Sequence, residues 1–358
     1  GFGELESLDS ASLQRNFQLV RILQCTLDTL TCLLVFLLTR ALFSGSPWPA
    51  LAAAALYASC PYSIYYTHAL LTETLATFLL VLASLVTTIA ANRARILLQV
   101  LAGACWGLLA LCRPEYLLLV PVLAGFTYYT QRRLQRPWLH AAAVMLGACL
   151  IVAPWMARNQ QLFDQSFISV GGPGYSLFLG TFESNSNWVG WNQYPDEAFR
   201  SDEERARILE LDQKYLAALA QGSFAIAAID DEYRAIAMVR IMERPFQTLA
   251  LWVQRAPRLW YQFYIPMYRD REASGNWFLV YLGLAIIAVA GATAEQRTRM
   301  QLPWLVLFYV VCVYLPLHVE PRYSVPAMPM LICLAGFGMI RLLGPVRSAQ
   351  LGRIRTPT

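Results

Sequence analysis

The chain has 358 residues, of which 57% are hydrophobic and only 14% are charged. A soluble domain carries about 25% charged residues, so the composition excludes an ordinary soluble protein and indicates a membrane protein. Lys214 is the only lysine, and we interpret the net charge of +5 as a signal of membrane orientation rather than of nucleic-acid binding.

Nine apolar runs follow one another along the chain. Each approaches the ~20 residues that a helix needs to cross a bilayer. They predict an all-α polytopic membrane protein, a helical bundle of about nine transmembrane helices. The runs cover residues 17–43, 48–66, 69–91, 96–112, 114–130, 138–157, 275–293, 302–319 and 321–343.

The fourth and fifth runs are short, and the charges around them indicate two separate crossings. Arginines precede the pair at 93 and 95 and follow it at 132, 133 and 136. Since both flanks then lie on the same side, the chain crosses an even number of times between them. The turn Cys112-Arg113-Pro114-Glu115 is therefore predicted at the opposite, outer side.

Arginine in short loops next to spanning helices stays on the cytoplasmic side, and this rule orients the chain. We expect a multi-pass protein of the cytoplasmic membrane with the acidic start outside and the basic tail 344–358 inside. The first residues resemble the end of an outer loop, so at least one helix and loop are expected upstream of residue 1. Twelve arginines mark the cytoplasmic turns and tail: Arg40, Arg93, Arg95, Arg132, Arg133, Arg136, Arg297, Arg299, Arg341, Arg347, Arg353 and Arg355.

The runs divide the chain into a membrane region, 1–157, a polar segment, 158–274, and a second membrane region, 275–343. The polar segment is predicted to form one mainly helical domain outside the cytoplasm, periplasmic or extracellular. Its apolar periodicity predicts helices near 199–221 and 224–243. A further stretch at 245–264, rich in aromatics and arginine, is typical of a helix lying in the bilayer interface.

Neither a metal nor a cofactor is expected from the sequence. The eight cysteines all lie in or beside apolar segments, and no CxxC or His/Cys spacing suggests zinc. We interpret the cysteines as small apolar side chains.

Polar residues that carry chemistry gather at the predicted outer ends of the spans. Because a charged group inside a span costs about 2.5–3.5 kcal/mol, such residues usually have a function. Simpler interpretations stay open: ion pairs at the interface for each arginine with its neighbouring glutamate, local hydrogen bonds for the histidines, and a helix cap for Glu73. The candidate substrate-binding residues are His68, Glu73, Arg113, Glu115, Arg158, His318, Glu320, Arg322 and Tyr323.

Arginine binds phosphate oxygens bidentately, carboxylates hold sugar hydroxyls or take a proton, and aromatic loops rich in asparagine suit carbohydrate. A polyprenyl-phosphate-linked sugar would satisfy all three. We therefore predict that Arg113 and Arg322, 209 positions apart in the sequence, approach each other around one phosphate.

Five segments, in this order along nearly the whole chain, carry a family resemblance: YSIYYTHALLTETLATFLLVLA, GLLALCRPEYLLLVPVL, IVAPWMARNQQLFDQSFISVGGPGYSLFLG, the stretch 245–264 and PRYSVPAMPMLICLAGFG. With them the chain resembles the GT-C glycosyltransferases, close to the dolichyl-phosphate-mannose-protein mannosyltransferase and aminoarabinose transferase group. The resemblance implies a bacterial cell-envelope enzyme that moves a sugar from a polyprenyl phosphate to a lipid, glycan or protein acceptor, with inversion at the anomeric carbon. It also implies that the catalytic acidic residue lies in a first outer loop, upstream of residue 1, so the catalytic base is unassigned.

Two other functions stay open. A non-catalytic membrane subunit fits the missing first loop, and a lipid or sugar transporter or flippase fits the number of spans. Against transport, the middle of the spans is almost uncharged, with Asp28 as the exception, and no internal repeat is visible.

Overall fold

A computed structural model describes residues 10–43, 46–163, 173–182, 194, 196–221, 225–261 and 271–354. These residues contain no β-strand, and nearly all are helical. The acidic start at residues 1–9, most of the aromatic loop at 183–193 and the predicted helix end at 262–264 lie outside the described residues.

The N-terminal half consists of apolar helices joined by short turns. The third helix is a single short turn between the second and fourth. In chain order the helices are α1 (Ser10–Leu42), α2 (Trp48–Ala58), α3 (Pro61–Tyr66), α4 (Glu73–Arg93), α5 (Ile96–Cys112), α6 (Leu119–Thr130) and α7 (Pro137–Phe163).

The second half contains short polar helices followed by three apolar ones. These helices are α8 (Gly174–Leu179), α9 (Asp202–Ala220), α10 (Ala225–Glu243), α11 (Pro245–Arg255), α12 (Arg258–Tyr261), α13 (Arg271–Ala290), α14 (Ala294–Arg299), α15 (Gln301–Tyr314) and α16 (Met328–Ile354).

Four segments are long and apolar enough to cross a membrane, namely Gln14–Leu42, Glu73–Arg93, Pro137–Leu162 and Pro321–Gly344. Shorter apolar helices lie at Trp48–Ala58, Ile96–Cys112, Trp277–Ala290 and Gln301–Tyr314. Together with α6 they account for all nine apolar runs. The all-α polytopic fold is thus confirmed, while nine crossings stay a prediction.

Proline explains where the helices depart from the predicted runs. The run 48–66 is interrupted at Cys60, whose extended backbone precedes Pro61. The run 114–130 begins instead with a 3-10 turn, Pro114–Leu118. A proline disfavours helical dihedrals in the residue before it, so a helix ends there. Two other helices run past their predicted ends, because α7 reaches Phe163 and α16 reaches Ile354, through most of the predicted tail.

Small residues allow the closest helix contacts in the bundle. A Cβ added at Gly103 of α5 would lie 2.0 Å from the backbone oxygen of Val144 in α7. A Cβ added at Gly147 of α7 would likewise lie 2.0 Å from the backbone oxygen of Val100 in α5. Membrane helices associate by such close backbone approach, since lipid supplies no hydrophobic driving force between them. Helix α16 contacts α1, α2, α4, α13 and α15, and it is buried continuously over residues 328–338.

The polar helices form a second, smaller core. Tyr175 and Phe178 of α8 pack with Ile208 of α9 and Tyr233 of α10. Asp230 of α10 accepts hydrogen bonds from the backbone N–H groups of residues 174 and 175, at 2.8 and 2.9 Å, and so caps α8. The helices expected near 199–221 and 224–243 are found as α9 and α10. In the apolar stripe predicted for the second helix, Ile226, Ile229, Tyr233, Ile236 and Ala237 are buried, whereas Val239 is 55% exposed.

Helix α11 has two faces. Phe246, Leu249 and Val253 are exposed, and Phe246 is 85% accessible, whereas Thr248 and Arg255 are buried. This is the amphipathic pattern expected of an interfacial helix. Its location at a membrane surface stays a prediction.

A set of backbone hydrogen bonds fixes the polar helices onto the turn after α15. The Nη2 of Arg255 and the indole N–H of Trp252 donate to the backbone oxygen of Gly180, at 2.9 and 3.0 Å. The backbone N–H of His318 donates to the oxygen of Ser176 at 2.8 Å. The turn that carries His318 is therefore held from the side of the polar helices.

Candidate functional site

Two turns with mirrored sequences meet at one end of the bundle. The first is Arg113-Pro114-Glu115-Tyr116, and the second reads Glu-Pro-Arg-Tyr over residues 320–323. In both, the residue before the proline is extended and the proline begins a 3-10 turn, Pro114–Leu118 or Pro321–Ala327. Proline thus ends each apolar segment and places charges of both signs where the next helix starts.

Arg113 is the centre of the first group of charges. Its Nη2 donates to Oε1 of Glu73 at 2.9 Å, and its Nη1 donates to the hydroxyl of Tyr314 at 3.1 Å and to Oε1 of Glu115 at 3.4 Å. The Tyr314 hydroxyl in turn donates to Glu115 Oε1, and the hydroxyl of Tyr309 donates to the Glu115 backbone oxygen. One guanidinium therefore holds two carboxylates from different helices.

This group is buried. Arg113 is 7% exposed and Glu73 is 2% exposed. The Oε2 atom of Glu73 and the Nε atom of Arg113 are buried without a hydrogen-bond partner. Because removal of one member of a buried ion pair costs about 3–5 kcal/mol, such a pair is costly to break. The Glu73 Oε2 atom is therefore a buried acceptor without a donor, in a residue that also lines a cavity described below.

A second group contains His318, Glu320 and Arg322. The Nε2 of His318 lies 3.1 Å from Oε1 of Glu320, and Arg322 Nε is paired with Oε2 of the same carboxylate. Burial acts to raise the pKa of Glu320, but the His318 hydrogen bond and the Arg322 charge outweigh it, and the pKa falls below its ordinary value. Glu320 is therefore an anion at neutral pH.

Tyr323 joins the two groups. Its ring stacks on that of Tyr314, with centroids 4.8 Å apart. The Cζ atoms of Arg113 and Arg322 lie 5.8 and 5.3 Å from the Tyr323 ring centroid. The two arginines are thus brought together around one aromatic ring. We call the following seven residues the charged cluster: Glu73, Arg113, Glu115, His318, Glu320, Arg322 and Tyr323.

A cavity of about 550 Å³ opens beside the charged cluster. We call it the first cavity. Its volume lies in the range of small-molecule sites. One part of its wall is apolar, and the other part carries two arginines and two carboxylates. It is lined by Val20, Gln24, Leu70, Leu71, Thr72, Glu73, Arg113, Glu115, Arg322 and Tyr323.

Two candidate residues lie outside the charged cluster. His68 is exposed, and its Nδ1 lies 3.1 Å from the Ile64 oxygen and 3.2 Å from the Thr67 hydroxyl. Arg158 is exposed on α7, next to Asn159 and the Trp155 ring. Neither lines the first cavity. For His68 the local hydrogen-bonding interpretation fits this position.

The sequence left two interpretations open for Glu73, a helix cap and a residue of a cavity. It is the first residue of α4, and no side chain caps this helix. Its carboxylate is directed to Arg113 and lines the first cavity. Its position is therefore that of a cavity residue, and its part in substrate binding stays a prediction.

The sequence did not indicate three residues that shape the site. Tyr309 and Tyr314 hold Glu115 from α15, and Gln24 of α1 donates to the Leu71 oxygen at 2.9 Å, which fixes the turn before Glu73. A signal was present, since tyrosine hydroxyls and an amide in apolar helices need partners. Within the described residues, no group of three His, Cys, Asp or Glu side chains is arranged to hold a metal ion.

Comparison with known proteins bears on the first half of the chain. Residues 10–157 match the family model of dolichyl-phosphate-mannose-protein mannosyltransferase, and no curated protein matches the chain. The match confirms the resemblance found from the sequence and supports a membrane glycosyltransferase. It includes Glu73, Arg113 and Glu115, whereas the other half of the charged cluster lies beyond it.

Proposed function

We propose that the chain is a membrane glycosyltransferase that moves a sugar from a polyprenyl-phosphate donor to an acceptor outside the cytoplasm. The observation that carries the proposal is the charged cluster beside the first cavity, at one end of an apolar bundle. This arrangement suits a ligand with an anionic head, several hydroxyls and a lipid tail. The family match supports the same class of donor.

The donor phosphate is assigned to Arg322. Its side chain is 30% exposed, lines the first cavity and is paired with one carboxylate. Arg113 is buried and already holds two carboxylates and a hydroxyl. We therefore assign Arg113 to positioning Glu73 and Glu115, a role that differs from the phosphate contact expected from the sequence.

Glu73 is assigned to the sugar of the donor. Its Oε1 is held by Arg113, while its Oε2 is buried at the cavity wall without a partner. A sugar hydroxyl that donates to this oxygen would satisfy it. Hydrogen bonds to a charged group contribute about 1.5–3 kcal/mol, so the contact would contribute strongly to donor recognition.

The reaction proposed is a direct displacement with inversion. The bond between the anomeric carbon and the phosphate oxygen breaks, and its electron pair leaves with the lipid phosphate. The acceptor oxygen forms the new glycosidic bond, and a carboxylate takes the acceptor's hydroxyl proton. Positive charge at Arg322 stabilises the phosphate as its charge develops. The carboxylate that accepts this proton is not assigned.

The arginine distribution supports a cytoplasmic-membrane location with the charged cluster on the outer side. Two of the arginine-bearing turns, 93–95 and 131–136, lie at the end of α4–α7 remote from Arg113. Under the positive-inside rule this end is cytoplasmic. The polar helices α8–α12 would then form the domain outside the membrane.

Transfer assays on matched variants test the proposal. We expect purified protein in lipid nanodiscs to release polyprenyl phosphate from a polyprenyl-phosphate sugar when acceptor lipids are added. Glu73→Gln and Arg322→Lys should each lower the rate by roughly 10- to 160-fold, the equivalent of one charged hydrogen bond. Glu295→Gln and Arg299→Lys are the controls, because these residues form an exposed ion pair on α14.

Equal rates in the wild type, Glu73→Gln and Arg322→Lys would remove the charged cluster from the reaction. Donor binding without turnover would favour the non-catalytic subunit. Movement of intact donor between leaflets would favour the flippase.

A further inference from the structure

A second cavity also adjoins the charged cluster. It has a volume of about 730 Å³ and is formed between the turn after α5, the end of α15 and the start of α8. Leu118, Val313 and Leu317 give it an apolar wall. At one end it meets Glu115, His318 and Tyr323.

The two cavities share part of their wall. Glu115 and Tyr323 line both the first and the second cavity. Tyr314, which hydrogen-bonds Glu115 and stacks on Tyr323, lines the second. Ligands in the two cavities would therefore contact the same two side chains.

The cavities differ in charge. Both arginines of the charged cluster line the first cavity, whereas no arginine or lysine is among the described residues that line the second. Glu115 is already paired with Arg113, but an anionic head group in the second cavity would meet this carboxylate with no arginine or lysine on the cavity wall. A hydroxyl can donate to the same carboxylate. The second cavity therefore suits an uncharged, hydroxyl-bearing head rather than a second phosphate.

One side of the second cavity is open to the surface that an apolar bundle presents to lipid. Leu118 is 64% exposed, and Cys312 is exposed on α15. Both line the cavity. An alkyl chain in the bilayer can pass between them while its head reaches Glu115 and His318.

We propose that the second cavity binds the acceptor and that this acceptor is a membrane lipid with a hydroxylated head group. The inference rests on the proposed function for its role as acceptor site and names the acceptor class that the function left open. A soluble glycan has no chain to fill the apolar wall, and a protein segment has no reason to enter from the lipid side.

Cys312 reports directly on occupancy of the second cavity. Wild-type protein in nanodiscs is alkylated with an apolar maleimide, and each thiol is followed by peptide mapping. Cys149 is the internal control, because it is also exposed on an apolar helix but does not line the cavity. Three probes are compared. Dodecyl maltoside has a hydroxylated head and an alkyl chain, dodecyl phosphate has the same chain with a charged head, and maltose has the hydroxylated head without the chain.

We expect dodecyl maltoside to slow Cys312 alkylation by about tenfold at about ten times its half-protecting concentration, by mass action. Cys149 should react at an unchanged rate, and neither dodecyl phosphate nor maltose should protect Cys312. Leu317→Trp, which puts a larger side chain into the apolar part of the cavity, should weaken the protection while Cys149 still reacts as in the wild type.

Equal protection by dodecyl phosphate would overturn the inference and make the second cavity an anionic-lipid site. Undiminished protection of Cys312 in Leu317→Trp would mean that the alkyl chain covers the thiol at the protein surface. That result would also overturn the proposed lipid site. Transfer without selective protection of Cys312 would reject this site alone. Selective protection in a protein that shows no transfer would reject the proposed function and the acceptor role while the lipid site stands.

Discussion

The ion pair between Glu73 and Arg113 allows a quantitative test of the charged cluster. Glu73→Gln removes one of the two carboxylates that Arg113 holds, and Arg113→Gln leaves Glu73 and Glu115 without their shared cation. Both partners are buried, so each single variant should lose about 3–5 kcal/mol of unfolding free energy. The double variant contains two neutral amides in place of the buried pair, and only Glu115, whose side chain is 22% exposed, is left without its cation.

The double-mutant cycle should therefore be strongly non-additive. We expect the double variant to lose about 1–3 kcal/mol less than the sum of the single variants, the coupling typical of residues in contact. Unfolding in detergent, followed by tryptophan fluorescence, measures all four proteins. The matched cycle at Glu295 and Arg299, an exposed pair on α14, should give a coupling of only about 0.2–0.5 kcal/mol. A coupling at the buried pair no larger than at this exposed pair would refute the reasoning.

Three further predictions follow from the packing, the pKa of Glu320 and the arginine pattern. Gly103→Leu should destabilise the protein by at least about 1–3 kcal/mol in thermal unfolding, because the added Cβ meets the backbone of α7. Gly125→Leu is the control and should not destabilise it, because a Cβ at Gly125 has nothing within 4 Å. The folded-state pKa of Glu320 lies below its ordinary 4.5, so its contribution to stability is complete above that pH and is lost as the pH falls through the folded value. Unfolding measured from about pH 6 to about pH 3 should thus depend less on pH in Glu320→Gln than in the wild type. An engineered thiol at Gln131 should react with impermeant reagents only from the cytoplasm, and one at Glu320 only from outside. The reverse pattern would overturn the predicted orientation.

The sequence predicted the helical content well, because apolar runs of membrane length have few alternatives to helix. It predicted the helix ends less well. Pro61 divides one run, and Pro114 converts the start of another into a 3-10 turn. These prolines were visible, but a proline inside an apolar run either kinks a helix or ends it, and only packing decides which.

The charged cluster was predicted in part. The arginine count put the turns at 113 and 322 on one side of the membrane, and charge chemistry put them near each other. The sequence did not indicate that Arg113 would be occupied by Glu73 and Glu115. The pairing depends on how α4 meets α5, which is set by packing between helices and has no local sequence signal.

The role of Tyr314 could not be predicted from the sequence for the same reason. In the sequence it is one aromatic residue in an apolar run, and only the fold brings its hydroxyl to Arg113 and Glu115. His68 was included because it lies near Glu73 in the sequence, at the predicted outer end of a span. Its hydrogen-bond partners lie in its own turn, and it does not line the first cavity.

Equilibrium binding of a short-chain polyprenyl phosphate to the purified protein tests the central claim most directly, since binding does not depend on an acceptor. The account predicts saturable binding to the wild type that Arg322→Gln weakens by roughly 10- to 160-fold, the equivalent of one charged hydrogen bond. Arg299→Gln, which alters an arginine on α14 away from the first cavity, should bind as the wild type does. Equal affinities for the wild type and Arg322→Gln would contradict the assignment of the donor to the charged cluster.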